Sequence, residues 1–384
     1  MEKVIDITPV ARPKSARPWT RVSLKFKLYV ALASVAPALI GLAVMTATGM
    51  DFMAALIVVI GHMNVLEYSN LGMEVGKYGH TMVVLFFVIS GYIIGRTTID
   101  QNPDTKTYLL NRASRIYIVA LPSIALCFAA SLLIPGINDA NAPTSTSHQI
   151  ILFLKSIFFL NQSWGSFENP PLNPPFWSLC YEVWYYVIFA AFYYPKTRTS
   201  KVLLGGLACM IAGPAILALM PAWLCGLALV YIKSDHIKKP YLVIPAAALA
   251  IVLIVEAELD LQIKNHISNL MPSVWHLGFA TKFLTDYILA VCFGLVLLSV
   301  GAIQVRSSVT SERVLANLAG FSFTLYLFHD PILRIMQSFS GLKNVSTHTH
   351  LAVLSTVVAL CWLISLTTEA KTSSFRRQLK KLVT

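Results

Sequence analysis

The stretch Ala54-Ala-Leu-Ile-Val-Val-Ile-Gly-His62 is an uncharged, mostly apolar run that ends in a histidine. It belongs to an apolar segment over 51–67, which covers most of a hydrocarbon core about 30 Å thick at about 1.5 Å per residue. An ionisable side chain inside such a segment costs several kcal/mol unless it is paired or faces a cavity. The stretch therefore predicts a membrane helix that carries a candidate functional residue.

The rest of the chain has the same apolar character. Of its 384 residues, 56% are hydrophobic and 12% charged, and the mean hydropathy is +0.66. A soluble domain with a solvated surface would not show this balance. The net charge of +12 is spread over short loops and tails, so it indicates membrane topology and contact with membrane lipids rather than nucleic acid.

Apolar runs between polar loops predict an all-α polytopic membrane protein, with about ten transmembrane helices in one bundle plus an extra N-terminal apolar helix. The segment Ile150 to Leu160 is short and contains Lys155, so we expect a helix at the interface or packed against the bundle. The predicted spans are 28–48, 51–67, 80–95, 116–134, 175–194, 202–217, 219–232, 241–257, 281–302, 315–336 and 350–369.

Lysines and arginines concentrate in alternate connections, which the positive-inside rule places in the cytoplasm. These basic connections are 96–115, 196–201, 233–239, 306–313 and 371–381. The alternation holds for nine consecutive spans and fails at the basic N-terminus. We therefore predict four parts: a cytoplasmic tail over 1–27, an extra apolar helix over 28–50 that spans or is re-entrant, a membrane domain over 51–369, and a basic cytoplasmic tail over 370–384.

Two histidines lie within predicted spans. His62 is a candidate general base, because a neutral imidazole can take a proton from a hydroxyl group. His329 follows Tyr326 by three residues on one helical face, and it either makes a structural hydrogen bond or acts on substrate. Pro331 leaves one backbone carbonyl without its usual donor, and in a membrane that carbonyl must be satisfied locally.

A carboxylate enters the bilayer in the element Trp177-Ser-Leu-Cys-Tyr-Glu182, after a proline-rich loop. Glu182 lies one to two turns inside its span, where an unpaired carboxylate is costly. Pairing with His62 would orient the imidazole and stabilise its protonated form. The alternative is a capping or interfacial carboxylate.

Two further motifs lie near span ends. Arg112 and Arg115 share a helical face and suit a phosphate group, although anchoring by the positive-inside rule would also place arginines there. Ser90-Gly91 allows close approach of a helix or of a ligand tail. The remaining histidines lack metal-ligand spacing, and the six cysteines show no CxxC pattern, so we predict no metal site and apolar packing for the cysteines.

Together these segments resemble the acyltransferase-3 family of membrane acyltransferases, which modify sugars of surface polysaccharides, lipopolysaccharide O-antigens and lipid-linked oligosaccharides. The resemblance covers roughly 51–369. One departure is Asp51, which stands where family members carry Arg or Lys eleven residues before the histidine. The elements that carry the resemblance are His62, the Phe86 to Gly91 run with Ser90, the Arg112 and Arg115 pair, the Trp177 to Glu182 element and the Tyr326 to His329 element.

The resemblance implies a membrane O-acyltransferase of the bacterial inner membrane. It would move an acetyl group, or alternatively a succinyl group, from cytoplasmic acyl-CoA to a hydroxyl of a carbohydrate or lipid-linked sugar. Acyl-CoA is then a co-substrate, no cofactor is permanently bound, and a homodimer is possible. A transporter or flippase of a lipid-linked sugar and a structural subunit are the alternatives. The implied site residues are catalytic His62, Glu182 and His329, acyl-CoA-binding Arg112 and Arg115, and substrate-pocket Trp177, Ser178, Tyr326 and Ser90.

Overall fold

The computed structural model describes residues 47–134, 136–137, 145–232, 277–302 and 317–383. This part of the chain is helical and contains no β-strand, which confirms the all-α prediction. Short helical turns, such as Met73–Gly76 and Glu369–Lys371, connect the longer elements. The main helices are α1 Ala47–Val65, α2 Gly79–Gln101, α3 Thr105–Leu133, α4 Thr146–Ile157, α5 Phe176–Tyr193, α6 Arg198–Ala212, α7 Pro214–Ala228, α8 Phe283–Ala302, α9 Ser322–Ser340, α10 Thr347–Ser365 and α11 Thr372–Val383.

Five helical stretches in the described residues are long and apolar enough to cross a bilayer, and Met50–Val65 is a shorter apolar helix. The protein is thus an integral membrane protein, while the count of about ten spans remains a prediction. The stretches are Gly79–Gln101, Thr105–Leu133, Pro214–Tyr231, Gly278–Leu298 and Thr347–Leu382. The predicted span 241–257, the tail 1–27, most of the segment 28–50 and the connections 233–239 and 306–313 lie outside the described residues.

Hydropathy predicted several helix boundaries well but misplaced the start of α3. This helix begins at Thr105, not at 116, because Asp104 caps it: its side chain accepts a hydrogen bond from the Thr107 amide at 3.0 Å. Arg112 and Arg115 consequently lie two to three turns inside the helix rather than at its first turn. The short apolar segment after 149 forms α4, as predicted, with Leu152 and Ser156 buried.

Helices α2 and α7 cross at very short range because each has a glycine at the contact. A Cβ atom on Gly91 would collide with the carbonyl oxygen of Trp223, and a Cβ atom on Gly226 would collide with that of Val88. Small residues permit such close backbone approach between membrane helices. The packing interpretation of Ser90-Gly91 is therefore correct for Gly91.

Connections that the charge pattern assigns to one side of the membrane also meet in the structure. After α1, Tyr68 accepts at its carbonyl a hydrogen bond of 2.7 Å from the amide of Val345, which follows α9. At the other end of α9, the amide of Thr324 donates to Glu369 at 3.0 Å, next to the start of α11. Each end of α9 thus contacts a segment that the charge pattern assigns to the same side as that end, while the sides themselves stay a prediction.

Candidate active site

His62 and His329 come together although 267 positions separate them in sequence. Their ring centroids lie 5.1 Å apart and the rings are nearly perpendicular, at 80°. His62 comes from the last turns of α1, and His329 from the middle of α9, which packs against α1. The His62 side chain is 24% exposed, whereas His329 is fully buried. One imidazole is thus reachable from outside the protein and the other supports it from within.

The carboxylate beside His62 is Asp330. Nδ1 of His62 lies 3.3 Å from Oδ1 of Asp330, which is an ion-pair contact, since neither atom has a hydrogen-bond partner in the described residues. Nε of Arg334 donates to Oδ2 of the same carboxylate at 3.1 Å. Asp330 is completely buried, and two basic groups offset its burial. The predicted pairing of His62 with Glu182 is therefore wrong. The chain did carry a signal for the observed arrangement, since Asp330 adjoins His329 and Arg334 follows one turn later.

The hydrogen-bonding pattern fixes the tautomer of His329. Its Nδ1 lies 3.0 Å from the carbonyl oxygen of Leu325, which can only accept, so Nδ1 carries the hydrogen. Nε2 then presents a lone pair, and it is buried without a hydrogen-bond partner among the described residues. An unsatisfied buried acceptor is uncommon and typical of a functional site. The structural hydrogen bond predicted for His329 is present, and it leaves the second nitrogen available.

Pro331 frees the carbonyl of Leu327, and two side chains satisfy it. Oγ of Ser123 and Nδ2 of Asn173 both donate to this oxygen at 3.1 Å. Ser123 lies in α3, and Asn173 lies in the proline-rich loop before α5. Local hydrogen bonding to this carbonyl was predicted. The two hydrogen bonds join α9, one turn before its proline, to α3 and to the loop before α5.

A cavity of about 700 Å³, including the part open to solvent, lies between α1, α2, α3, α5 and α9. Its wall contains two arginines and two carboxylates, Arg112, Arg115, Asp51 and Glu182. Ser90, Ser178 and Tyr326 also line it. Most of the predicted site residues therefore share one cavity. His62 and His329 are not on the lining, and they lie beyond Tyr326, whose ring centroid is 6.2 Å from that of His329.

Arg112 is held by aromatic rings. Its guanidinium carbon lies 6.0 Å from the ring centroid of Tyr108 and 5.9 Å from that of Tyr186. Nε of Arg112 is buried and has no hydrogen-bond partner in the described part of the chain. A guanidinium that is oriented by aromatic faces and still has an unused donor suits a planar or phosphate anion.

Glu182 ends a chain of hydrogen bonds that explains the position of Ser90. Tyr186 donates to Glu182 by its hydroxyl, Ser90 Oγ lies 2.8 Å from that hydroxyl, and Trp223 Nε1 donates to Ser90 at 3.2 Å. The indole can only donate, so Ser90 accepts from Trp223. Because the single hydroxyl hydrogen of Tyr186 goes to Glu182, Ser90 donates to Tyr186. The last hydrogen bond of this series is donated to the Glu182 carboxylate and orients that carboxylate at the cavity wall.

Ser178 and Tyr326 join α5 to α9 at the cavity. Their hydroxyl oxygens lie 2.6 Å apart, and Tyr326 also reaches the carbonyl of Pro175 at 3.2 Å. Trp177 does not line the cavity. Its ring stacks on Phe279 at 4.5 Å and on His80 at 5.8 Å, and so belongs to a neighbouring aromatic cluster.

The described residues contain no group of three or more His, Cys, Asp or Glu side chains arranged to hold a metal ion. The six cysteines form no disulfide in the described part of the chain, and four of them are buried in the bundle. Their burial fits the apolar packing predicted for them.

Apolar helices, a cavity with charged walls and two adjacent imidazoles, one of them fully buried, are the features that the described residues combine. A model of the acyltransferase-3 family, described as an acyltransferase domain, matches residues 47–367, and the chain belongs to this family. Family membership makes the protein an acyltransferase and decides against the transporter and structural-subunit alternatives. Neither the curated proteins nor the solved structures include a significant match to the chain.

Proposed function

We propose that the protein transfers an acyl group, acetyl before succinyl, from acyl-CoA to a hydroxyl of a carbohydrate or lipid-linked sugar in the bacterial inner membrane. The observation that carries this proposal is the His62–Asp330–Arg334 arrangement beside the lone-pair nitrogen of His329. A base oriented by a carboxylate is the arrangement that activates a hydroxyl nucleophile.

His62 acts as the base. Asp330 faces Nδ1 and favours the tautomer in which that nitrogen carries the hydrogen, so Nε2 has the lone pair. Nε2 takes the proton of the acceptor hydroxyl while the hydroxyl oxygen attacks the thioester carbonyl carbon. The C–S bond then breaks, the CoA thiolate receives the proton from His62, and the products are the O-acyl ester and free CoA.

His329 assists by accepting a hydrogen bond through its unpartnered Nε2. Its fixed tautomer means that it cannot also donate to an oxyanion, so its role is to accept a hydrogen bond from a second hydroxyl of the acceptor, or from Nε2 of His62 once that imidazole has taken the proton. Tyr326 lines the cavity next to His329, so the thioester end of the donor enters from the cavity and reaches His62 past Tyr326.

Arg112 and Arg115 bind phosphate of the donor at the cavity. Support comes from the ring-held guanidinium of Arg112 with its unused Nε and from the side of the membrane that the positive-inside rule predicts to face the cytoplasm. Glu182 is a cavity carboxylate in this scheme and not the partner of the base. The acceptor reaches His62 from the opposite side of the membrane.

The test is turnover by purified full-length protein in detergent. With labelled acetyl-CoA and a membrane extract that supplies lipid-linked sugars, the protein should release free thiol and label an acceptor. His62→Ala should lower release by at least about a hundredfold. The matched control is His348→Ala, which removes an exposed histidine from the first turn of α10 and should leave the rate unchanged. Full activity of His62→Ala would refute the proposed base.

A further inference from the structure

Helix α11 presents a dense basic surface. Arg376, Arg377, Lys380 and Lys381 form two adjacent rows spaced four residues apart, and all four side chains are exposed. No acidic residue occurs between 370 and 384. The surface formed by these four residues, called the basic ledge below, therefore has no acid of its own helix to neutralise it.

The basic ledge lies next to the cavity arginines. Helix α11 packs against α3, and Nε of Arg376 donates to Oγ of Ser114 at 3.3 Å. Ser114 stands between Arg112 and Arg115 in the sequence of α3. Phe375 and Leu379, on the apolar side of α11, are partly buried. This helix is thus docked on α3, and Glu369, just before its start, accepts a hydrogen bond from the Thr324 amide beside the cavity-lining Phe323.

The charges of the cavity explain why additional cations are needed there. Arg112 and Arg115 are matched in number by Asp51 and Glu182, so the four groups have no formal surplus of positive charge. Arg112 and Arg115 can hold one phosphate, but a donor that carries several phosphate charges needs further cations beyond this balanced wall. The basic ledge, which contacts α3 at Ser114, supplies them.

We infer that the basic ledge binds the phosphates of the nucleotide end of the acyl-CoA donor, while the cavity receives its thioester end. This inference rests on the proposed use of acyl-CoA. Phosphate headgroups of anionic lipids offer the same chemistry. The nucleotide is favoured because a helix bound to the bilayer surface buries its apolar side in lipid, whereas Phe375 and Leu379 are partly buried in the structure.

The first test measures binding without turnover. The probe is adenosine 3′,5′-bisphosphate, added to the full-length protein in a zwitterionic detergent and followed by calorimetry. The triple variant Arg377→Gln, Lys380→Gln, Lys381→Gln should bind it about tenfold more weakly than the unmodified protein. The control variant Lys196→Gln, Arg198→Gln, Lys201→Gln removes three cations before and within α6 and should bind normally. Equal binding by the ledge variant, or no binding by the unmodified protein, would overturn the inference.

The second test separates the nucleotide from the lipid. For the ledge variant, KM for acetyl-CoA should rise about tenfold while KM for acetyl-pantetheine, which lacks the nucleotide, stays constant in zwitterionic nanodiscs. A rise for both donors that occurs only in anionic nanodiscs would identify a lipid surface and overturn the inference. If the unmodified protein released thiol from neither donor, the proposed function would be refuted instead. The binding measurement with the bisphosphate would still show whether the basic ledge binds a nucleotide.

Discussion

Nδ1 of His62 lies 3.3 Å from Oδ1 of Asp330, and this contact joins the end of one membrane helix to the middle of another. Asp330 accepts a hydrogen bond from Arg334 at its second oxygen, so the carboxylate lies between the imidazole and the guanidinium and contacts both. The arrangement makes Asp330 the positioning residue for His62, since a carboxylate at Nδ1 determines which nitrogen bears the lone pair.

Replacement of Asp330 by Asn should therefore lower kcat by about 10²- to 10⁴-fold with little change in KM for acetyl-CoA. The amide can offer its NH₂ group to Nδ1 and so favour the wrong tautomer. Arg334→Gln, which keeps the carboxylate, should cost less than Asp330→Asn. The measurement is steady-state thiol release; a kcat for Asp330→Asn within threefold of the original would contradict the positioning role.

Asp51 should limit donor affinity. It lines the cavity together with Arg112 and Arg115, so its carboxylate repels a donor phosphate bound there. Asp51→Asn should lower KM for acetyl-CoA about three- to tenfold and leave KM for acetyl-pantetheine, which lacks the nucleotide phosphates, unchanged. Steady-state thiol release with the two donors measures both constants. An unchanged KM for acetyl-CoA would show that the donor phosphates do not approach Asp51.

Gly91→Ala should destabilise the bundle by about 1–3 kcal/mol, because the new methyl group meets the backbone of α7 at the carbonyl of Trp223. Thermal unfolding in detergent gives the measurement. Gly206→Ala is the matched control: it lies in α6, and a Cβ atom there meets nothing within 4 Å. That change should be neutral or slightly stabilising. Equal melting temperatures for both variants would contradict the close crossing of α2 and α7.

Glu168, in the loop before α5, predicts a pH effect on stability. Burial acts to raise the pKa of this carboxyl, but hydrogen bonds from Lys155 and His148 outweigh burial and hold the pKa below its ordinary value of 4.5. A lowered pKa contributes stability that is present above pH 4.5 and is lost as the pH falls through the folded-state value. The melting temperature of Glu168→Gln should thus be lower than that of the original protein at pH 6. The two melting temperatures should converge below pH 4.5. A gap that persists under acid conditions would contradict this assignment.

Hydropathy was sufficient to predict the helical class and the approximate limits of α1, α2, α5 and α10, because long apolar runs have few alternatives in a bilayer. It misplaced the start of α3, whose first turns are polar and depend on the Asp104 cap. The partner of His62 was also missed. The spacing of His329, Asp330 and Arg334 indicated a charged cluster on α9, but it did not indicate that His62 joins this cluster, since that depends on which helix packs against α1.

Pro331 alone predicts that the Leu327 carbonyl needs other donors. Proline lacks the backbone N–H that would otherwise bond the carbonyl four residues earlier. The identity of those donors could not be predicted in this way. Ser123 and Asn173 lie far away in sequence and meet α9 only in the folded bundle.

This junction has a consequence for the reach of the donor. Ser123 lies eight residues after Arg115 on α3, about 12 Å along the helix, and its hydroxyl is fixed two residues before His329. Helix α3 therefore carries Arg112 and Arg115 and, two turns further along, contacts the helix of His329 through Ser123. In the proposed reaction this fixed spacing sets the length of the donor arm, so thioesters whose arm is too short or too long to extend from the arginines to the imidazoles should react slowly.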